Sequence, residues 1–179
     1  WAKRVGKDVW GPGAQRRTFG DDHWKQPLQW NALAHGAVER PRVFCASMAD
    51  VFEDREELDF HRARLWDLIE ATPNLDWLLL TKRPENVIER VRWGQHWPSN
   101  VWIGTTVELQ KRADELLPHL AEIPAKVRFI SAEPLLGPLE LRKWLGTSID
   151  WVITGGESGP KARPASPGWF RSLMIQCME

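Results

Sequence analysis

The sequence has no tyrosine, only two cysteines and no excess of either charge, with 24 Lys+Arg against 24 Asp+Glu in 179 residues. Neutrality argues against generic nucleic-acid binding, which draws on counterion release from phosphates and so favours a basic excess. Cys45 and Cys177 make neither a disulfide framework nor a metal site by themselves. Cys45 lies in an apolar run and Cys177 on an apolar helical stripe, so both are expected to be buried and inert. No run approaches the roughly 18 consecutive apolar residues of a membrane span, and no charged start followed by an apolar stretch marks a signal peptide. The expectation is a cytoplasmic protein that engages no membrane.

What is present is 42% hydrophobic and 27% charged residues of mixed sign, the balance of one soluble globular domain. Charge is uneven along the chain. Residues 1–43 hold eight Lys/Arg and four Asp/Glu, whereas 50–59 hold six acids and only Arg55. Twelve tryptophans are also unusual, and Trp1, Trp10, Trp24 and Trp30 crowd the basic opening. Aromatics among cations suit base stacking; the plainer reading is that they plug a barrel end or cover a sheet edge. The chain starts at Trp1 and its first methionine is Met48, which reads as an internal fragment.

From Pro41 onward one pattern repeats: an apolar run of about five residues, ending in small or polar residues, then a helical stretch. The runs are RVFCAS (42–47), DWLLLT (76–81), NVWIGT (100–105), KVRFIS (126–131) and DWVITG (150–155). Such spacing fits successive βα units, and near-continuous apolar character fits parallel strands buried on both faces. Between them, Asp54 with Glu57 resembles a capping box before Leu58, Leu65, Leu68 and Ile69. Pro84 suits a first helical position. Leu109, Ala113, Leu116, Leu117 and Leu120 form a stripe that Pro118 should kink or end. Ser166 and Pro167 open a last helix whose apolar face would be Phe170, Leu173, Met174 and Cys177. The fold class predicted is α/β, a partial (β/α) TIM-like barrel of sequential parallel βα units truncated at both ends. Residues 1–179 form its single domain, with 1–40 an opening segment and 41–179 the five units.

In a barrel the C-terminal strand ends share one mouth. They read Ser47-Met48-Ala49-Asp50, Thr81-Lys82-Arg83, Thr105-Thr106-Val107-Glu108, Ser131-Ala132-Glu133 and Gly155-Gly156-Glu157-Ser158-Gly159. Asp50 and Glu108 also suit helix N-caps. Glu133 precedes Pro134, which favours extended backbone, and Glu157 follows two glycines that allow close approach of a ligand. Lys82 and Arg83 suit a carboxylate or phosphate, or pairing with Glu108 or Glu133. Gly155 to Pro160 suits a nest for an anion. No histidine stands at a strand end, so Ser–His chemistry lacks its base. The candidate binding residues are therefore Ser47, Asp50, Lys82, Arg83, Glu108, Glu133, Gly155, Gly156, Glu157 and Ser158, with no catalytic role assigned and no metal ligand.

Five segments in order carry a resemblance: RVFCASMADVF (42–52), LLLTKRPE (78–85), NVWIGTTVE (100–108), VRFISAEPLLGPL (127–139) and DWVITGGESGPKARP (150–164). Together with KQPLQWN (25–31) they resemble the phage and prophage gene-product 37/68 family, a domain of unknown function. In that family a three-cysteine motif, resembling the iron–sulfur ligands of radical S-adenosylmethionine enzymes, would precede Trp1, and an aromatic-rich strand would follow Glu179. The resemblance implies a radical-SAM-like fold whose mouth takes a [4Fe–4S] cluster and S-adenosylmethionine in the full-length protein, and no cofactor in this fragment. On that basis Lys82 would take the ligand's carboxylate and Glu133 its ammonium group. Two functions follow: an iron–sulfur enzyme of radical-SAM type, inactive as this fragment, or a phage-derived nucleic-acid or protein-binding module without catalysis. A metal-free hydrolase using Glu133 and Glu157 is a third. Expected partners are a small-molecule or macromolecular substrate and a co-encoded partner protein.

Overall fold

The computed structural model describes residues 11, 13–45 and 49–179. Its centre is one parallel sheet of five strands in sequential order, β1 (Arg42–Cys45), β2 (Asp76–Thr81), β3 (Val101–Thr106), β4 (Arg128–Ala132) and β5 (Trp151–Thr154). Every predicted run contributes one strand, and the sheet curls into a half-barrel with β1 and β5 at its edges. Register pairs Leu78 with Trp102, Gly104 with Phe129, Thr106 with Ser131 and Ser131 with Ile153.

Because side chains alternate along a strand, that register sorts the residues into two faces. Trp77, Leu79, Val101, Ile103, Ile130 and Ala132 join the main core. Above them lie helices α1 (Asp21–Leu33), α2 (Asp59–Glu70), α3 (Val87–Arg90), α4 (Gln110–Glu122) and α5 (Pro167–Met178). Ile69 on α2 and Leu117 and Leu120 on α4 are fully buried there, each worth roughly 1.5–3 kcal/mol on burial. The opposite, concave face carries Phe44, Leu78, Trp102, Phe129 and Trp151. A side chain at Gly104 would overlap the Phe129 ring, so glycine there is a packing requirement. At the N-terminal strand ends the Arg42 guanidinium lies 4.9 Å from the Trp102 ring centre and 5.6 Å from that of Trp151, closing the floor by cation–π contact.

Four local expectations are corrected. Asp54 and Glu57 form no capping box: a short 3-10 turn (Glu56–Leu58) comes first, α2 starts at Asp59, and the two acids pair with Arg90 and Arg55 instead. Pro118 neither ends nor splits α4, which continues to Glu122; its buried face of Ala113, Leu116, Leu117 and Leu120 outweighs the lost backbone bond. On α5 Met174 and Cys177 are exposed and Gln176 is buried. The Gln176 amide accepts from Leu141 N–H at 2.7 Å and donates to Leu139 O at 2.8 Å, so an amide completes the face. Cys177 is thus not the buried residue expected, whereas Cys45 packs against the core and burial pushes its thiol up to about 12.

Within the opening segment the described residues include a helix, α1, to which the sequence pattern gave no signal. α1 runs through Pro27 and is tied to the segment before β2 by Asn74 N–H donating to Asn31 Oδ1 at 2.8 Å. Trp24 is covered by the Arg64 guanidinium, 4.6 Å from its ring centre, and its indole donates to Phe19 O. It therefore covers structure rather than offering an open stacking face. Trp30 is exposed, and Trp1 and Trp10 lie outside the described residues.

Candidate ligand site at the strand-end rim

The loops after the five strands meet along one rim, and the β1–β3 half of it is tied together by its own charges. Asp50, after β1, accepts hydrogen bonds from Thr81 Oγ1 (2.8 Å), Lys82 N–H (3.0 Å), Arg83 Nη1 (2.8 Å) and Phe52 N–H (3.0 Å). A short carboxylate beside the polar end of β2 thus fastens one βα loop to the next. Arg16 reaches Glu53 at 2.5 Å, and that guanidinium holds the Glu53 carboxyl below the usual carboxylate range. Lys82 Nζ lies 3.0 Å from Glu108 Oε1, so of the two pairings open to Lys82 the structure takes Glu108. The cation expected to hold a ligand carboxylate is already engaged.

The β4–β5 half differs. Leu135 N–H donates to Gly155 O (2.8 Å) and Gly155 N–H to Ala132 O (3.2 Å), so Glu133 lies alongside Gly155. The Glu133–Pro134 peptide is cis. A Cβ at Gly155 would come within 2.9 Å of the Glu133 carboxyl; glycine leaves the room that this carboxylate occupies. Glu133 has no hydrogen-bond or ion-pair partner among the described residues. Two residues earlier on the same face, Ser131 is 5% exposed, and its register partner Thr106 is 4% exposed. Their hydroxyl oxygens are not sealed from solvent: the buried side-chain polar atoms without a hydrogen bond among the described residues are His61 Nδ1 and Trp144 Nε1.

Glu157 turns back on its own loop. Its carboxylate accepts from Arg163 N–H (2.7 Å), Nε (2.9 Å) and Nη2 (2.9 Å). The Arg163 guanidinium, then its backbone N–H, hold the carboxyl at about 2. Gly156 and Ser158 are exposed beside it. The glycine-rich segment expected to cradle an anion is thus closed around a carboxylate of its own.

Of the candidate residues, Asp50, Lys82, Arg83 and Glu108 are brought together as a charge network, Glu133 and Gly155 as a second group, and Glu157 with Arg163 as a third. Ser47 lies outside the described residues. Sequence reading passed over Arg16, Arg163, Thr106 and Ser131 as site residues. The two hydroxyls were open to discovery through alternation, which puts Ser131 on the face of Glu133. The arginines pair with acids by tertiary placement or loop closure, which no spacing rule conveys.

The residues present do not fit an iron–sulfur cluster, which is held by several thiolates. Cys45 points its thiol into the core and Cys177 stands on α5. Among the described residues no group of three or more His, Cys, Asp or Glu side chains is placed to hold a metal ion, and no helix is long and apolar enough to cross a membrane.

No curated protein and no solved structure matches this chain. A family model does match, over residues 2–179, and the chain belongs to the family described as protein of unknown function (DUF5131).

Proposed function

We propose that this chain is the ligand-binding half-barrel of a radical-SAM-like iron–sulfur enzyme of phage type, taking an amino-acid-bearing cofactor such as S-adenosylmethionine at the strand-end rim. The observation that carries this reading is the combination of five parallel strands in order with a concave face whose rim holds a carboxylate, Glu133, that has no partner among the described residues. A barrel mouth of this kind gathers polar groups from distant parts of the sequence. Because the two cysteines do not fit a cluster, its thiolates belong to a segment outside residues 1–179 in this reading. The chain's own part is to seat and orient the organic ligand.

The test is anaerobic reconstitution of the full-length protein with iron and sulfide, followed by visible absorbance and chromatography for 5′-deoxyadenosine released from S-adenosylmethionine. Cluster absorbance with cofactor cleavage is expected. Absence of both, together with no calorimetric binding of S-adenosylhomocysteine, would leave the non-catalytic binding module. Trp24, already covered by Arg64, offers that module no open stacking face.

A further inference from the structure

We infer that the loop after β5 is a carboxylate-receiving site held shut by its own Glu157, with Arg163 as the residue that takes the incoming group. The proposal deepens the reading above by naming the contact that guards the rim, and it rests on that reading only for the ligand's identity.

The site already has an occupant. Arg163 turns its backbone N–H, Nε and Nη2 onto one carboxylate at 2.7, 2.9 and 2.9 Å. A guanidinium fork joined by a main-chain N–H is a receptor for a planar, two-oxygen anion, and here that anion comes from six residues earlier in the same loop. Other rim pairs are built differently. Arg83 to Asp50 and Lys82 to Glu108 each join loops that follow different strands, so a ligand that displaced them would loosen the rim. The Glu157–Arg163 pair closes only its own loop. With the arginine side chain 62% exposed, an outside group reaches the guanidinium directly, and the pair gains little from burial.

The backbone supplies an independent observation. In the closed loop Gly159 lies at φ 101 and Lys161 at φ 64. Glycine takes such a conformation freely, whereas a lysine does so at a cost. The closed loop thus holds local strain that release of Glu157 relieves, which favours its exchange for an outside carboxylate. The neighbourhood sets the charge of that guest. Glu133 stands against Gly155, and Glu108 lies near enough to Arg163 to act on it electrostatically. Bordering carboxylates repel a dianion more than a monoanion, so the loop selects a carboxylate over a phosphate. A ligand carboxylate on Arg163 would free Glu157 and so couple occupancy of the rim to opening of its last loop.

The experiment is ¹H–¹⁵N NMR of the backbone and arginine Nε–H groups of the intact protein, titrated with sodium acetate, with sodium chloride and sodium phosphate at matched ionic strength as controls. In Glu157→Ala, acetate is expected to give saturable shifts at the Arg163 backbone N–H and Nε–H, at least tenfold tighter than in the unaltered protein and tighter than phosphate. Arg163→Lys, which keeps the charge and loses the fork, should weaken acetate severalfold when added to Glu157→Ala. Unchanged amide signals of Leu135 and Gly155, whose bonds hold the base of the loop, show that the variant keeps its fold. Should they move, Glu157→Gln, which keeps the side chain's shape, gives the same test. Acetate shifts no larger than those of chloride in the Glu157 variants, equal acetate affinity with and without Glu157, or phosphate tighter than acetate would overturn the site. S-adenosylhomocysteine separates the two proposals. If it fails to bind with or without Glu157 while acetate binds the variant, the cofactor reading falls and the carboxylate site stands. If it binds equally to the unaltered protein, to Glu157→Ala and to the double variant, the cofactor reading survives and the carboxylate site falls.

Discussion

Asp50 and Glu133 both follow a strand and both stand at the rim, yet Asp50 accepts four hydrogen bonds across β1 and β2, while Glu133 accepts none among the described residues. The difference separates a carboxylate used to build the rim from one left for something else. In the β1–β3 half, cations and anions from consecutive loops cancel locally, so a ligand anion or cation would have to displace an existing partner. In the β4–β5 half the carboxylate is placed by backbone and by the missing side chain of Gly155, and its charge remains uncompensated. Position after a strand is thus shared by both; the surrounding partners decide the role.

The largest effect expected from breaking this comparison is on Asp50. Asp50→Ala removes the acceptor for two backbone N–H groups and the Thr81 hydroxyl, and should destabilise the fold by about 3 kcal/mol. Arg83, more than a third exposed, adds little once its partner is gone. Urea denaturation followed by tryptophan fluorescence measures it, and a loss below about 1 kcal/mol would mean that Asp50 does not fasten the rim. Lys82→Ala should cost far less, about 0.2–1 kcal/mol, because the Lys82–Glu108 pair is largely solvated, with the lysine side chain 56% exposed.

These contrasts mark what was legible in the sequence. The five strands were, because each is a sustained apolar run: DWLLLT is buried along most of its length, and the edge runs RVFC and WVIT, only partly covered, keep the same apolar signal. Helix α1 was not, since residues such as Lys25, Gln26 and Gln29 show no apolar stripe and Pro27 reads as a breaker. The buried Gln176 was invisible to an apolar-periodicity rule that assigned its place to Met174 and Cys177. At the rim, Glu133 was singled out by Pro134 and Glu157 by its glycines, both local signals. The lock on Asp50 depends on Thr81 and Arg83, more than thirty residues away, and that juxtaposition exists only after folding. Cysteine exposure gives a direct readout of the same lesson. A thiol reagent should label Cys177 in the native protein and Cys45 only on unfolding, as mass spectrometry of the labelled peptides will show.

A smaller effect concerns the Glu157–Arg163 pair, where both groups are solvent-exposed and the interaction is confined to one loop. The folded carboxyl lies at about 2, below the ordinary value of 4.5. A depressed carboxyl stabilises the folded state above the ordinary value, and that contribution is lost as pH falls from about 4.5 through about 2. Carboxyl-detected NMR should show Glu157 titrating at about 2, and returning to the ordinary carboxylate range in Arg163→Ala. A midpoint unchanged by that substitution would remove Arg163 as the cause.

The smallest effect on the ligand-free fold is expected at Glu133. If its carboxylate has no structural partner, Glu133→Gln, which keeps shape and removes charge, should shift the unfolding free energy by no more than about 0.5 kcal/mol. Gly155→Ala approaches the same carboxylate from the other side. Its Cβ would stand 2.9 Å from the Glu133 carboxyl group, so the side chain must move, and an exposed carboxylate moves at little cost. Both variants should therefore fold with near-native stability. A Glu133→Gln loss comparable with that of Asp50→Ala would make Glu133 another fastening of the rim, and the two halves would then be built alike. Near-native stability in both variants is the pattern that separates a carboxylate the fold does not use from one that fastens it.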